Sequence, residues 1–245
     1  MRNIRLDICY DGTRYKGWQR LPGVEATIQG KIETSLSRIL GEPIEISGSG
    51  RTDAGAHALG QVANFHCSSD LPCQEILLQL RQYLPEDIGI YSCKEVSERF
   101  HARLNAVRKT YRYRVWNSEM PCVLERRQVY ILPERLDVEK MRRAAELLLG
   151  EHDFSAFCAN KKMKKSTVRR IDAIDIRTTG EELRITVTGN GFLYNMVRIL
   201  AGTLLAVGQG KLEPLDIPVI TESKDRSRAG NTMPAYGLYL NRVIY

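Results

Sequence analysis

One order of predicted elements runs twice along this chain, and that repetition limits its possible folds more than any other feature. Over 3–9 (NIRLDIC), Ile4, Leu6 and Ile8 recur at every second residue and share one face of a strand. Over 27–40, Ile28, Ile32 and Leu36 recur at every fourth residue, with Ile39 close by, which is a helical stripe. Alternation returns at 43–48 and at 61–66 (QVANFH), on either side of a glycine-rich loop. Residues 74–83 are helical in pattern with Pro85 just beyond, and 88–96 suits a strand. The second half begins with a strand over 108–116, rich in β-forming side chains. A helix over 138–149 follows, with Gly150 expected at its C′ position. Residues 168–177 and 183–189 alternate around TTGEE and read as a hairpin. An apolar helix over 193–207 and a closing strand in GLYLNRVIY complete the second pass.

Two β-α-β-β-α-β passes place the chain in the α+β class, as two ferredoxin-like or RRM-like lobes with mainly antiparallel sheets. The lobes are expected over 1–104 and 105–245, with the junction near 97–107. The repeat is one of pattern and not of residue identity. At 245 residues with 43% hydrophobic side chains, the chain can bury a core for each lobe. Lys and Arg total 36 against 29 Asp and Glu, a formal charge of +7 that favours an anionic partner.

Other classes are disfavoured. The opening MRNIRLDICYDG has charges where a secretory signal needs an apolar run, and no window is apolar for long enough to span a membrane. The six cysteines form no C-x-x-C pair, and the four histidines lack metal-ligand spacing, so no metal is expected. Scattered cysteines without a signal read as reduced thiols in the cytoplasm.

Three constellations offer chemistry. The first is GSGRTDAGAH at 48–57, between two predicted strands. It lacks the Gly-Lys-Ser/Thr of a phosphate loop, and Asp53 stands where a G-x-G-x-x-G fingerprint needs glycine. A loop of this composition displays Arg51 and Asp53, although an aspartate there also suits a plain Asx turn. The second is Arg198, the single charge within the apolar stretch 192–207. A guanidinium in such a helix needs a carboxylate or an anionic ligand, unless it snorkels to a wet edge. The third is Tyr111 in RKTYRYRV, where alternation separates Tyr111, Tyr113 and Val115 from Arg112 and Arg114. Aromatic rings beside cations suit unpaired bases and phosphates, whereas a half-buried strand with tyrosines in its core is the plainer reading. The basic run KKMKK at 161–165 adds possible phosphate contacts or is a solvated loop. Trp18, in YDGTRYKGWQ at 10–19, reads by itself as a packed aromatic.

Taken together, these segments resemble the TruA family of tRNA pseudouridine synthases. The resemblance rests on YDGTRYKGWQ at 10–19, GSGRTDAGAHALGQVANF at 48–65, and FHAR at 100–103 with KTYRYRVWN at 109–117. It extends through GNGFLYNMVRILAGTLLAVG at 189–208 to PAYGLYL at 234–240, so it spans the chain in order. Leu21, Ala56 and the Lys109-Thr110 pair depart from the usual pattern at positions that carry no expected role.

The resemblance implies isomerisation of uridine to pseudouridine in the tRNA anticodon stem-loop, at positions 38 to 40. It implies a homodimer, no cofactor, and lobes joined across a central RNA-binding cleft. It makes Asp53 the catalytic aspartate, Tyr111 the tyrosine that stacks on the target base, and Arg198 the arginine that pairs with the aspartate. Arg51 is then the motif arginine that helps to hold the flipped-out nucleotide. The reaction breaks a C–N glycosidic bond and makes a C–C bond without redox change or group donor. An ionised Asp53 serves either as a nucleophile or as a base on a sugar proton, and the buried target requires base flipping. Three alternatives stand beside this reading: a paralogue acting on another RNA such as ribosomal RNA, a non-catalytic RNA-binding protein, and a carboxylate-pair hydrolase. The RNA-binding reading lacks an RNP1 motif, and the hydrolase lacks its second acid.

Overall fold

The computed structural model describes residues 1–160 and 165–245. Of the basic run at 161–165, only Lys165 falls within them, and it is exposed. The chain forms two compact units, residues 1–107 with 239–245, and residues 108–238. Both combine helices with mostly antiparallel strands.

The first unit contains β1 (Arg2–Tyr10), α1 (Ile28–Leu40), β2 (Ser47–Gly48), β3 (His57–Cys67), α2 (Cys73–Tyr83) and β4 (Ile88–Val96). Strand β1 lies between antiparallel β3 and β4, with Leu6 opposite Ala63 on one side and Cys93 on the other. The free side of β3 takes β2 at Ala63 and Asn64, and also β10 (Leu238–Ile244), which runs parallel to it from Tyr239 opposite His57. The alternating Ile4, Leu6 and Ile8 are fully buried, as are Ile28, Ile32 and Leu36 of α1 and Ile76 and Leu80 of α2. Burial of each such side chain contributes about 1.5–3 kcal/mol. Thr27 caps α1 by accepting from the Gly30 amide at 3.3 Å, and Gly41 ends the helix at φ 71°.

The strand expected over 43–48 shrinks to Ser47–Gly48. Ile44 and Ile46 are buried as the alternation requires, but their amides do not enter a sheet. Ile44 donates to Ser37 Oγ and Ile46 to Glu33 Oε1, both at 2.9 Å. Side chains of α1 thus take the donors that a neighbouring strand would have used.

The second unit contains β5 (Arg108–Trp116), β6 (Tyr130–Ile131), α3 (Val138–Glu146), β7 (Gly150–Asp153), β8 (Val168–Thr179), β9 (Glu182–Gly189), α4 (Met196–Gly208) and α5 (Asp216–Ser223). Strands β5, β9, β8 and β7 follow one another in antiparallel order, and short β6 runs parallel to β5. Helix α3 stops earlier than expected. Its end tightens into i to i+3 bonds, Leu148 to Ala145 and Leu149 to Glu146, and Gly150 at φ 98° opens β7 instead of capping the helix. Helix α5 carries Pro218 in its first turn, where the missing amide hydrogen has no helical partner to lose. No helix among the described residues is long and apolar enough to cross a membrane.

Candidate functional site

The loop carrying Asp53 leaves β2 and enters β3, and alternate residues anchor it. Ser49 is buried; its amide donates to Val62 O at 2.7 Å and its hydroxyl to Gln61 Oε1 at 2.6 Å. Gln61 Nε2 in turn donates to Gly50 O at 3.0 Å. Thr52 is buried, and its Oγ1 lies 2.8 Å from Tyr10 Oη. Beyond Asp53, the Ala56 amide donates to Asp53 O at 3.1 Å, which closes a tight turn, and Gly55 takes φ 80°. Arg51 and Ala54 are exposed and Asp53 is half-buried. The backbone is therefore held while Arg51 and Asp53 are presented.

The anchor comes from residues 10–19. The Trp18 amide donates to Thr52 O at 3.1 Å, and Tyr15 O accepts from the Gly55 amide at 3.2 Å. The Trp18 indole is 2% exposed and occupies the space beside Gly48, where a Cβ would stand 2.6 Å from the ring. A Cβ on Gly12 would lie 1.9 Å from Ala56 O, so this close approach requires glycine. The packed-aromatic reading of Trp18 holds, and its packing partner is the loop of Asp53. The bare sequence shows the glycines and the tryptophan of this segment but not what they touch.

Tyr111 and Arg198 belong to the second unit. Tyr111 is 8% exposed on β5 and meets Phe192 edge-on, with centroids 5.2 Å apart at 83°. Tyr113, two residues on, is fully buried and donates its hydroxyl to Pro234 O at 2.9 Å. Burial pushes its phenol well above the usual tyrosine range. Gly237 fits against the same ring, at a position where a Cβ would lie 2.7 Å from Cζ. This is what the PAYGLYL segment does in this unit.

Arg198 is half-buried in the first turn of α4, held by neutral acceptors on two sides. Its Nε donates to Met233 O at 2.6 Å and its Nη1 to Asn195 Oδ1 at 2.9 Å. Asn195 sits at the N-terminus of α4 in the left-handed region, at φ 60°. Residues 190–195 thus supply both the ring against Tyr111 and the oxygen that orients Arg198. Asn195 was not among the residues singled out from the sequence; an asparagine three positions before the helix's single charge was its only signal there.

On the cationic face of β5, Arg114 is already paired. Arg114 donates to Glu182 Oε1 at 2.5 Å and also pairs with Glu125, while Arg184 pairs with Glu182 at 2.7 Å. Burial alone would raise the Glu182 carboxyl, but hydrogen bonds from Arg184 and Arg114 outweigh it and hold it down at about 2. Arg114 is part of an ion-pair network and does not stand ready for phosphate. Among the described residues no group of three or more His, Cys, Asp or Glu is placed to hold a metal ion.

A family model described as tRNA pseudouridine synthase matches residues 8–105 and 144–245. The chain belongs to the tRNA pseudouridine synthase family. These enzymes are isomerases, and the first matched segment contains both the loop of Asp53 and its anchor. The second contains α4 with Arg198 and Asn195, whereas Tyr111 falls between the two. Three relatives cover all of this chain and are covered by it in full. They are the tRNA pseudouridine synthase A of Caldicellulosiruptor bescii at 49% identity, that of Acetivibrio thermocellus at 46%, and tRNA pseudouridine synthase A 2 of Bacillus cereus at 46%.

Proposed function

We propose that this protein converts uridine to pseudouridine in tRNA, at positions 38 to 40 of the anticodon stem-loop, as a cytoplasmic homodimer without a cofactor. Its two ferredoxin-like units bind the RNA together. The observation that carries the reading is the GRTDAG loop, which anchors the backbone on both sides of Asp53 while presenting its carboxylate and the exposed Arg51.

In this reading Asp53 attacks the substrate as a nucleophile or removes a sugar proton as a base. The glycosidic bond between C1′ and N1 breaks, the uracil turns, C1′ joins C5, and the C5 hydrogen leaves to solvent while N1 gains a proton. Atoms and electrons balance without a co-reactant. Tyr111 offers its ring to the displaced base, Arg51 holds the flipped-out nucleotide, and Arg198 orients the aspartate through charge and directed hydrogen bonds.

The test is tritium release from tRNA carrying 5-tritiated uridine. Wild-type protein should release the label and Asp53→Ala should not, while Asp53→Ala still binds tRNA. Mapping pseudouridine in a strain lacking the gene should show unmodified uridine at 38 to 40. Full modification there, or a turnover-competent Asp53→Ala, overturns the proposal. Loss of pseudouridine from ribosomal RNA instead assigns a different substrate.

A further inference from the structure

Arg198 is held from a second direction by a segment that the reaction does not itself require. Residues 229–233 cross α4 at Gly202, where a Cβ would stand 2.0 Å from Asn231 O. The Gly230 amide donates to Thr203 Oγ1 at 2.9 Å, and that hydroxyl donates to Ile199 O at 2.8 Å. The crossing ends at Met233, whose amide donates to Arg198 O at 3.3 Å while its own carbonyl accepts from Arg198 Nε at 2.6 Å. Asn195 adds a further constraint through Oδ1, which accepts from Arg198 Nη1. The Met233 carbonyl and the Asn195 amide oxygen are uncharged, so these two bonds orient the guanidinium plane and leave its formal charge in place.

We infer that Asn195 is a positioning residue, which together with the Met233 carbonyl aims the Arg198 guanidinium during uridine isomerisation. This inference rests on the catalytic reading of Arg198 given above. Two fixed N–H bonds define the plane of a guanidinium, so losing one of them loosens its aim. Misplacement of a group that orients a reacting carboxylate slows the chemical step more than it weakens tRNA binding.

The backbone of Asn195 supplies a clean test. Its φ of 60° suits glycine, so Asn195→Gly deletes Oδ1 without straining the chain. Asn195→Asp keeps an acceptor at the same place. Single-turnover rate, KM for tRNA and melting temperature are measured for both variants and for Arg198→Ala, with rates read well below each melting temperature so that only folded protein is compared. Asn195→Gly is expected to lower the single-turnover rate by about tenfold or more with KM unchanged, and Asn195→Asp to stay within about threefold of wild type. A wild-type rate in Asn195→Gly beside an inactive Arg198→Ala removes Asn195 and leaves the reading of Arg198 intact. Equal slowing by Gly and Asp overturns the inference as well, because an acceptor at the Oδ1 position would then not set the rate. A near-normal rate in Arg198→Ala overturns the underlying assignment itself.

Discussion

The backbone amide of Trp18 donates to the carbonyl oxygen of Thr52 at 3.1 Å, tying the residue before Asp53 to a segment more than thirty positions earlier. The Tyr10 hydroxyl and the Tyr15 carbonyl hold the same loop at Thr52 and Gly55. An acidic side chain on an otherwise glycine-rich turn would sample many positions. Here the turn is clamped, and the entropy of ordering it is offset by bonds made when the fold forms.

Gly12→Ala should break that clamp. Its new Cβ would meet Ala56 O at 1.9 Å, and a backbone oxygen cannot step aside as a side chain can. We expect a loss of about 1–3 kcal/mol in unfolding free energy together with a fall in turnover. Denaturant melts and tritium release measure the two effects.

Replacing Tyr111 separates ring from hydroxyl. Tyr111→Phe keeps a face for the base and the edge contact to Phe192, so it should retain measurable kcat/KM. Tyr111→Ala should lose about 1–3 kcal/mol of transition-state stabilisation. Equal kcat/KM values for the two variants would exclude stacking as its role.

Tyr113→Phe probes the tail segment instead. Deleting the hydroxyl strands the Pro234 carbonyl beside a fully buried ring. The expected cost is about 1–2 kcal/mol of stability, read as a lower denaturation midpoint with an unchanged denaturant slope.

Glu182 predicts a dependence on acid. Its carboxyl is held down at about 2 against an ordinary 4.5, despite burial, by the two arginines. The stability it contributes is therefore complete above about pH 4.5 and is lost as pH falls through 2. Glu182→Gln should cost about 1–3 kcal/mol at neutral pH and show a shallower decline between pH 4.5 and 2. Parallel curves for wild type and variant across that range would remove Glu182 from the acid response.

Period and spacing made most elements legible because Ile4, Leu6 and Ile8, or Ile28, Ile32 and Leu36, share faces that a core must bury. The pattern failed where side chains compete for the backbone. Ile44 and Ile46 alternate as a strand would, yet Ser37 and Glu33 capture their amides. Gly150 looked like a helix stop, but the last turn of α3 tightened before reaching it. The loop of Asp53 was visible as composition, whereas its anchor at 10–19 was not, because close approach of Gly12 to Ala56 leaves no periodic trace. Alternation shows which face Arg114 is on and says nothing of the Glu125 and Glu182 that meet it.

Residues 239–245 belong with 1–107 although the whole of 108–238 is made between them. They place Tyr239 and Leu240 beside His57 and Ala58, and the Tyr245 hydroxyl on Ala102 O at 2.7 Å. On the ribosome, the half that carries Asp53 must wait, with one sheet margin uncovered, until the other half has been synthesised. Active enzyme is then a late product of translation, and a chain halted in its second half would carry the aspartate in an unfinished frame.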